Sequence, residues 1–139
     1  MKMRDRYLFK AKRLDNEEWV VGFYHCTNWI NPQTKEIVEV THSILPIDCQ
    51  DSYYVDPSTI CQCTGRKDKN KKLIWENDIV REEHGNFYKA IWQNNHYQFT
   101  WSCVKSDVFF IGAKWDLWSF EISGIEVVGN IFDNPELLD

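Results

Sequence analysis

Between Cys61 and Gly85 the chain reads CQCTGRKDKNKKLIWENDIVREEHG. A close cysteine pair, a basic run, an Asp-x-Asn triplet and the apolar runs KLIW and DIV share this one segment. Four readings compete for it: a thiolate metal site, a calcium loop, a nucleic-acid patch, or the corner of a β-fold. A calcium loop opening at Asp68 needs oxygen ligands at alternate positions, glycine at the sixth and a bidentate glutamate at the twelfth. Its fifth, sixth and twelfth positions are Lys72, Leu73 and Ile79, so calcium is excluded. Structural zinc wants soft ligands in two close pairs. Cys61 and Cys63 make one pair, and Cys26, Cys49 and Cys103 are scattered. If the pair lies on a strand, both sulfurs share one face and pack as small hydrophobes. No metal is expected. The remaining reading is a turn, with Asp68 and Asn70 bonding their own backbone. On that reading "KLIW" and "DIVRE" enter a sheet.

Working outward, FYKAIWQ (87–93) and YQFTWSC (97–103) follow, with END, EHGN and NNH between the runs. Short runs separated by turn residues predict a strongly bent antiparallel sheet or small barrel. On the N-terminal side, RYLFKAK (6–12) and WVVGFYH (19–25) read as a hairpin, and EIVEVTH (36–42) as a third strand. Gly22 inside its strand marks a bulge or a close backbone approach. Asp56-Pro57 reads as a helix start, which Gly65 would close after about two turns. DVFFIGAKWDLWSF (107–120) is ambiguous: Trp115 and Trp118 have helical spacing, whereas Phe109, Phe110 and Ile111 resemble a strand. GIEVVGN (124–130) is a final strand before a proline-started turn.

The expected fold class is mainly β (α+β): a small barrel-like, strongly bent antiparallel sheet with one or two short helices. A chain of 139 residues supports one domain. Its sub-division is expected into 1–65 and 66–139. Hydrophobic residues at 43% and aromatics at 15% exclude global disorder. With only two Met and three Ala, the composition favours strands. The N-terminus MKMRDRYLFKAKRL carries charges where a secretory signal needs apolar residues. No run approaches the roughly 20 apolar residues of a membrane span. A protein of the cytoplasm with free thiols and no membrane partner is the expectation.

Catalytic chemistry has no foothold in the sequence. His25, His42, His84 and His96 accompany no nucleophile motif, and no P-loop, Rossmann fingerprint or His-Glu-x-x-His occurs. Glu76 and Asp78 read as a turn and a cap. The expectation is a protein that is not an enzyme and uses no cofactor. A binding surface is easier to draw: Arg66, Lys67, Lys69, Lys71 and Lys72 lie near Trp75, Tyr88 and Trp92. Cations on phosphates with aromatics stacked on bases would hold a nucleic-acid strand. Lys2, Arg4, Arg6, Lys10, Lys12 and Arg13 form a second basic group. Glu76, Asp78, Glu82 and Glu83 offset the first. Tryptophan is enriched at protein interfaces, and this chain has seven. Exposure of Trp29, Trp115 or Trp118 would mark a surface for a protein partner or a homo-oligomer. Contact with protein is the leading expectation and nucleic-acid binding the alternative.

Three segments together span nearly the whole chain: FKAKRLDNEEWVVGFY, VDPSTICQCTGRKDKNKKLIWENDIV and VVGNIFDNPELL. In this order they resemble the YopX protein family of phages and prophages. The resemblance implies a β-rich fold with a small α/β portion, and a phage or prophage accessory protein of no established activity. It implies no catalytic set. The family pattern has glycine at the positions of Lys71 and Asn77, both turn positions suited to positive φ. Asparagine tolerates that region, but a lysine there costs about 1 kcal/mol. A turn of altered type is therefore expected at Lys71. The pattern has no cysteine at positions 61 and 63, which further weakens a metal role.

Overall fold

The computed structural model describes residues 3–120 and 124–139, with the side chains of 3 and 4 left out. The chain divides into two compact units. The first is Arg6–Gln62, and the second is Cys63–Asp139 with the N-terminal residues. The division falls inside one strand.

In the first unit the alternating sequence makes four strands: β1 (Phe9–Lys12), β2 (Trp19–Ile30), β3 (Ile37–Pro46) and the short β4 (Tyr53–Tyr54). They pair antiparallel in the order β4-β3-β2-β1, and β5 (Cys61–Lys67) lays its first two residues against Phe9 and Lys10. Ala11, Val20, Ile44 and Val55 form the core, with Phe9, Tyr24, Tyr53 and Ile60 packed against it. Gly22 sits opposite Pro46, and a Cβ there would run into the Leu45 carbonyl and lie 2.7 Å from Pro46 Cα. The close approach read from the sequence is present.

The expected α/β portion is not: among the described residues this unit holds strands and 3-10 turns. Asp56 and Pro57 do start a turn, with the Asp56 carboxylate accepting from the Ser58 amide at 3.0 Å. It ends after Pro57–Thr59, because Cys61 and Gln62 are taken up in strand pairing with β1. Gly65 therefore closes no helix. It lies inside β5 at φ 83°, where the register with β6 shifts.

The second unit begins as the rest of β5 pairs with β6 (Leu73–Trp75). Then β7 (Asp78–Glu82), β8 (Phe87–Gln93), β9 (Gln98–Lys105), β10 (Lys114–Asp116) and β11 (Ile125–Asn130) form an antiparallel sheet ordered β10-β9-β8-β7-β11. That order has two ends, so pairing does not close the sheet into a barrel among the described residues. Inward positions alternate along the strands: Tyr88 and Ala90 on β8, Trp101 and Cys103 on β9. Trp101 is fully buried, and its indole N–H is satisfied by the Leu117 carbonyl at 3.1 Å. The ambiguous 107–120 segment becomes a loop, the short β10 and a 3-10 turn at Leu117–Ser119.

The opening stretch is a corner, and Asp68 organises it. Its buried carboxylate accepts from the Asn70 and Lys72 amides at 2.9 Å, and its second oxygen accepts from Val127 on β11, also at 2.9 Å. A side chain expected to shape its own turn thus also joins two distant segments. Lys71 has φ 65° and Asn77 φ 70°. Both positions have positive φ, and Lys71 takes the left-handed conformation that glycine favours. Hydrogen bonds from both ends of the turn hold it there, including Lys71 N–H to the Asp68 carbonyl. At the next turn Asp78 is the cap, accepting from the Trp75 amide at 2.9 Å.

Candidate functional site

The residues proposed for nucleic acid do not assemble. Trp75 and Tyr88 are buried core side chains, and neither can stack on a base. Their strand parity points them inward, a choice the aromatic-rich runs leave undetermined in sequence. Trp92 is exposed and packs edge-on to Phe99 at 5.1 Å. Arg66 is buried too. Its Nη2 donates to the Phe120 carbonyl, its guanidinium lies 5.3 Å from the Trp118 ring, and burial pushes its pKa down. Nε and Nη1 have no acceptor among the described residues. Lys67, Lys69, Lys71 and Lys72 are exposed, and Lys69 is ion-paired with Glu126 at 3.5 Å. In the other basic group, Lys2 lies outside the described residues, as does the Arg4 side chain. Arg13 is held by Asp15 and lies 3.9 Å from the Tyr53 ring.

The cysteines are likewise separated by burial. Cys61, Cys63 and Cys103 are buried and Cys26 and Cys49 exposed. Cys61 donates to the Thr59 carbonyl, and Cys63 accepts from the Gly65 amide at 3.4 Å. Burial pushes the Cys103 thiol up. Among the described residues, no group of three His, Cys, Asp or Glu side chains is placed to hold a metal ion. No helix there is long and apolar enough to cross a membrane.

What the second unit does present is an apolar loop held in a fixed conformation. Val108, Phe110 and Ile111 are 77%, 78% and 67% exposed. Their backbone is not slack. Ser106 Oγ accepts from the Val108 and Phe109 amides at 3.0 and 2.9 Å. Gly112, at φ 89°, donates to the Cys103 carbonyl at 2.8 Å, and Ala113 donates to Phe110 at 3.1 Å. The positive φ explains the glycine: any Cβ there would be strained. Sequence reading missed this loop, because an apolar run signals a strand as readily as an exposed tip. Gly112 was the one local hint. Of the three tryptophans singled out, Trp118 is 81% exposed and Trp29 51%, whereas Trp115 packs among Tyr88, Phe109 and Phe120.

Beside the loop lies a cleft of about 590 Å³, lined by Val108 and Phe109, by Tyr88 and Phe120, and by Glu82, Glu83 and His84 of the β7–β8 turn. Glu82 is buried and anchors the turn. One oxygen accepts from Asn86 N and Nδ2 at 3.1 and 2.7 Å, and the other meets His84 Nδ1 at 2.8 Å. Burial alone would raise the Glu82 pKa, but backbone donation from His84 and Asn86, with the imidazole itself, leaves it below the usual value. The hydrogen bond to Glu82 raises His84. Ser106 Oγ donates to Asn86 Oδ1 at 2.6 Å, so this network extends to the apolar loop. Burial, with Glu82 and Cys103 nearby, pushes the Tyr88 phenol up to about 12.

These features define a mainly β protein with an open antiparallel sheet in its second unit. The YopX protein family matches residues 8–139, and the chain belongs to that family. Among solved structures it is similar to the crystal structure of protein EF1440 from Enterococcus faecalis. That likeness has 20% identity and a TM-score of 0.48, over 94% of this chain and 96% of that one. No curated protein matches the chain.

Proposed function

We propose that this protein is a phage or prophage accessory protein that works in the host cytoplasm by binding another protein, without catalysis. One observation carries the reading: Val108, Phe110 and Ile111 stand in solvent on a loop whose backbone is tied at both ends. Exposed apolar side chains cost solubility, and contiguous ones mark interaction sites. Fixing their geometry beforehand lowers the ordering entropy a partner must overcome. The nucleic-acid alternative is weaker, since two of its three stacking side chains, Trp75 and Tyr88, are in the core.

Site-specific photo-crosslinking tests this. A photoreactive phenylalanine analogue replaces Phe110 in one variant and Gln33, on the β2–β3 turn of the first unit, in another. Discrete protein adducts from position 110, absent from position 33, are expected in cells making the protein. No adduct at 110, or the same adducts at both positions, would remove the proposal.

A further inference from the structure

We infer that the cleft beside the Ser106–Gly112 loop receives a basic side chain, a lysine or arginine of the protein partner. The inference rests on the reading above and adds the chemistry of what is bound.

The lining of the cleft is of two kinds, the polar Glu82, Glu83 and His84 and the aromatic Tyr88, Phe109 and Phe120. Phe109 and Phe120 are the accessible rings of the lining, and the fully buried Tyr88, its ring centroid 4.7 Å from that of Phe120 at 30°, backs Phe120 from the core. Phe109 is fixed edge-on to Trp115 at 4.8 Å. The Glu82 carboxylate is engaged by Asn86 and His84. The Glu83 carboxyl carbon lies 3.6 Å from where a Gly124 Cβ would be, at the edge of the cleft. Among the described residues no cation is within ion-pair distance of it. Two acidic side chains and one imidazole line the cleft, while the nearby Lys69 and Arg81 are both paired with Glu126.

That combination discriminates between occupants. An anion would be repelled by Glu83. A purely apolar side chain would strip water from a carboxylate without replacing its hydrogen bonds, which is unfavourable. Lysine and arginine satisfy both kinds of lining, with an apolar stem along the rings and a cationic head toward Glu83. The occupant belongs to a protein because the surface is continuous. Val108 and Phe109 are exposed residues of the loop and also line the cleft, so whatever covers the loop covers its mouth.

The test uses the ¹⁵N-labelled full chain and three small probes: the N-acetyl methylamides of lysine, arginine and norleucine. Amides of Glu83, His84 and Phe109 should shift with both cationic probes, at concentrations about fivefold lower than with norleucine. Glu83→Gln, a change at the protein surface, should erase that difference. Equal responses to all three probes, no response, or a cation preference that survives Glu83→Gln would each overturn the inference. The broader reading is judged separately by the crosslink at position 110. An adduct that persists while the probes fail leaves the contact surface standing and removes only the basic side chain.

Discussion

The two units solve the same antiparallel problem with different reserves. The first gathers its core from Ala11, Val20, Ile44 and Val55, small side chains at the base of a long hairpin. β1 reaches β2 only from Trp19 to Gly22, and β4 reaches β3 only at Ser43 and Ile44. Farther out, β2 and β3 continue as a two-stranded ribbon with Trp29, Ile30, Ile37 and Val40 exposed. Such a ribbon has little stability of its own. The second unit packs Trp101 and Tyr88 into a larger core and spends its exposed apolar residues on a hydrogen-bonded loop. Exposed hydrophobicity alone therefore does not distinguish a binding surface. What supports the loop beneath does.

The sharpest way to break this comparison is to remove the large core side chain. Trp101→Ala should cost the second unit about 3–5 kcal/mol, mostly as a cavity. Chemical denaturation followed by hydrogen exchange would read it, with amides of β8 and β9 losing protection first. A loss below about 1 kcal/mol would mean that the aromatic core is not the main support. In the first unit the equivalent weak point is a backbone contact. Gly22→Ala should cost roughly 1–3 kcal/mol, because the added methyl meets the Leu45 carbonyl and Pro46. A neutral result would show that β2 and β3 separate at little cost.

Smaller effects sharpen the account of the corner. Lys71→Gly should stabilise by about 0.5–1 kcal/mol, since relief of the left-handed strain exceeds glycine's entropic penalty. A higher thermal midpoint checks it, and a lower one contradicts it. The smallest effect concerns His84, whose pKa is raised above 6.5 by its hydrogen bond to Glu82. A raised folded-state pKa gives stability that is full below the unfolded value and is lost as pH rises through the folded one. Glu82, held low, keeps its charge across that window and gives up its own contribution only as pH falls through its lowered value. An NMR titration of the His84 ring should give a midpoint above 6.5 that falls back in Glu82→Gln. No change on substitution would exclude the pair as the cause.

Much of the fold was legible because it is local. Alternation announced the strands, and Gly22, Asp68 and Asn77 carried turn and contact chemistry that their neighbours could not. The helix after Asp56 failed because its residues were claimed by pairing with Phe9 and Lys10, a contact between positions far apart in sequence. The surface was less legible for the same reason. In FYKAIWQ both faces carry aromatics, and strand parity puts Tyr88 and Trp92 on the same one; only tertiary packing decides that Tyr88 is covered while Trp92, farther along the strand, is exposed. Arg66 reads as part of a basic run, yet tertiary contacts bury it. The Val108–Ile111 loop has no periodicity to reveal it, and its hydrogen bonds to Ser106 and Cys103 appear only in three dimensions.

The central claim is that the tied loop, and not the ribbon, carries partner binding. One experiment tests it directly: the photoreactive phenylalanine analogue at Phe110 and, separately, at Val38 on the ribbon, in cells making the protein. The account predicts a discrete protein adduct from position 110 that disappears when Val108 and Ile111 are changed to serine, and none of comparable yield from position 38. Dominant adducts from position 38, with position 110 silent, would contradict it.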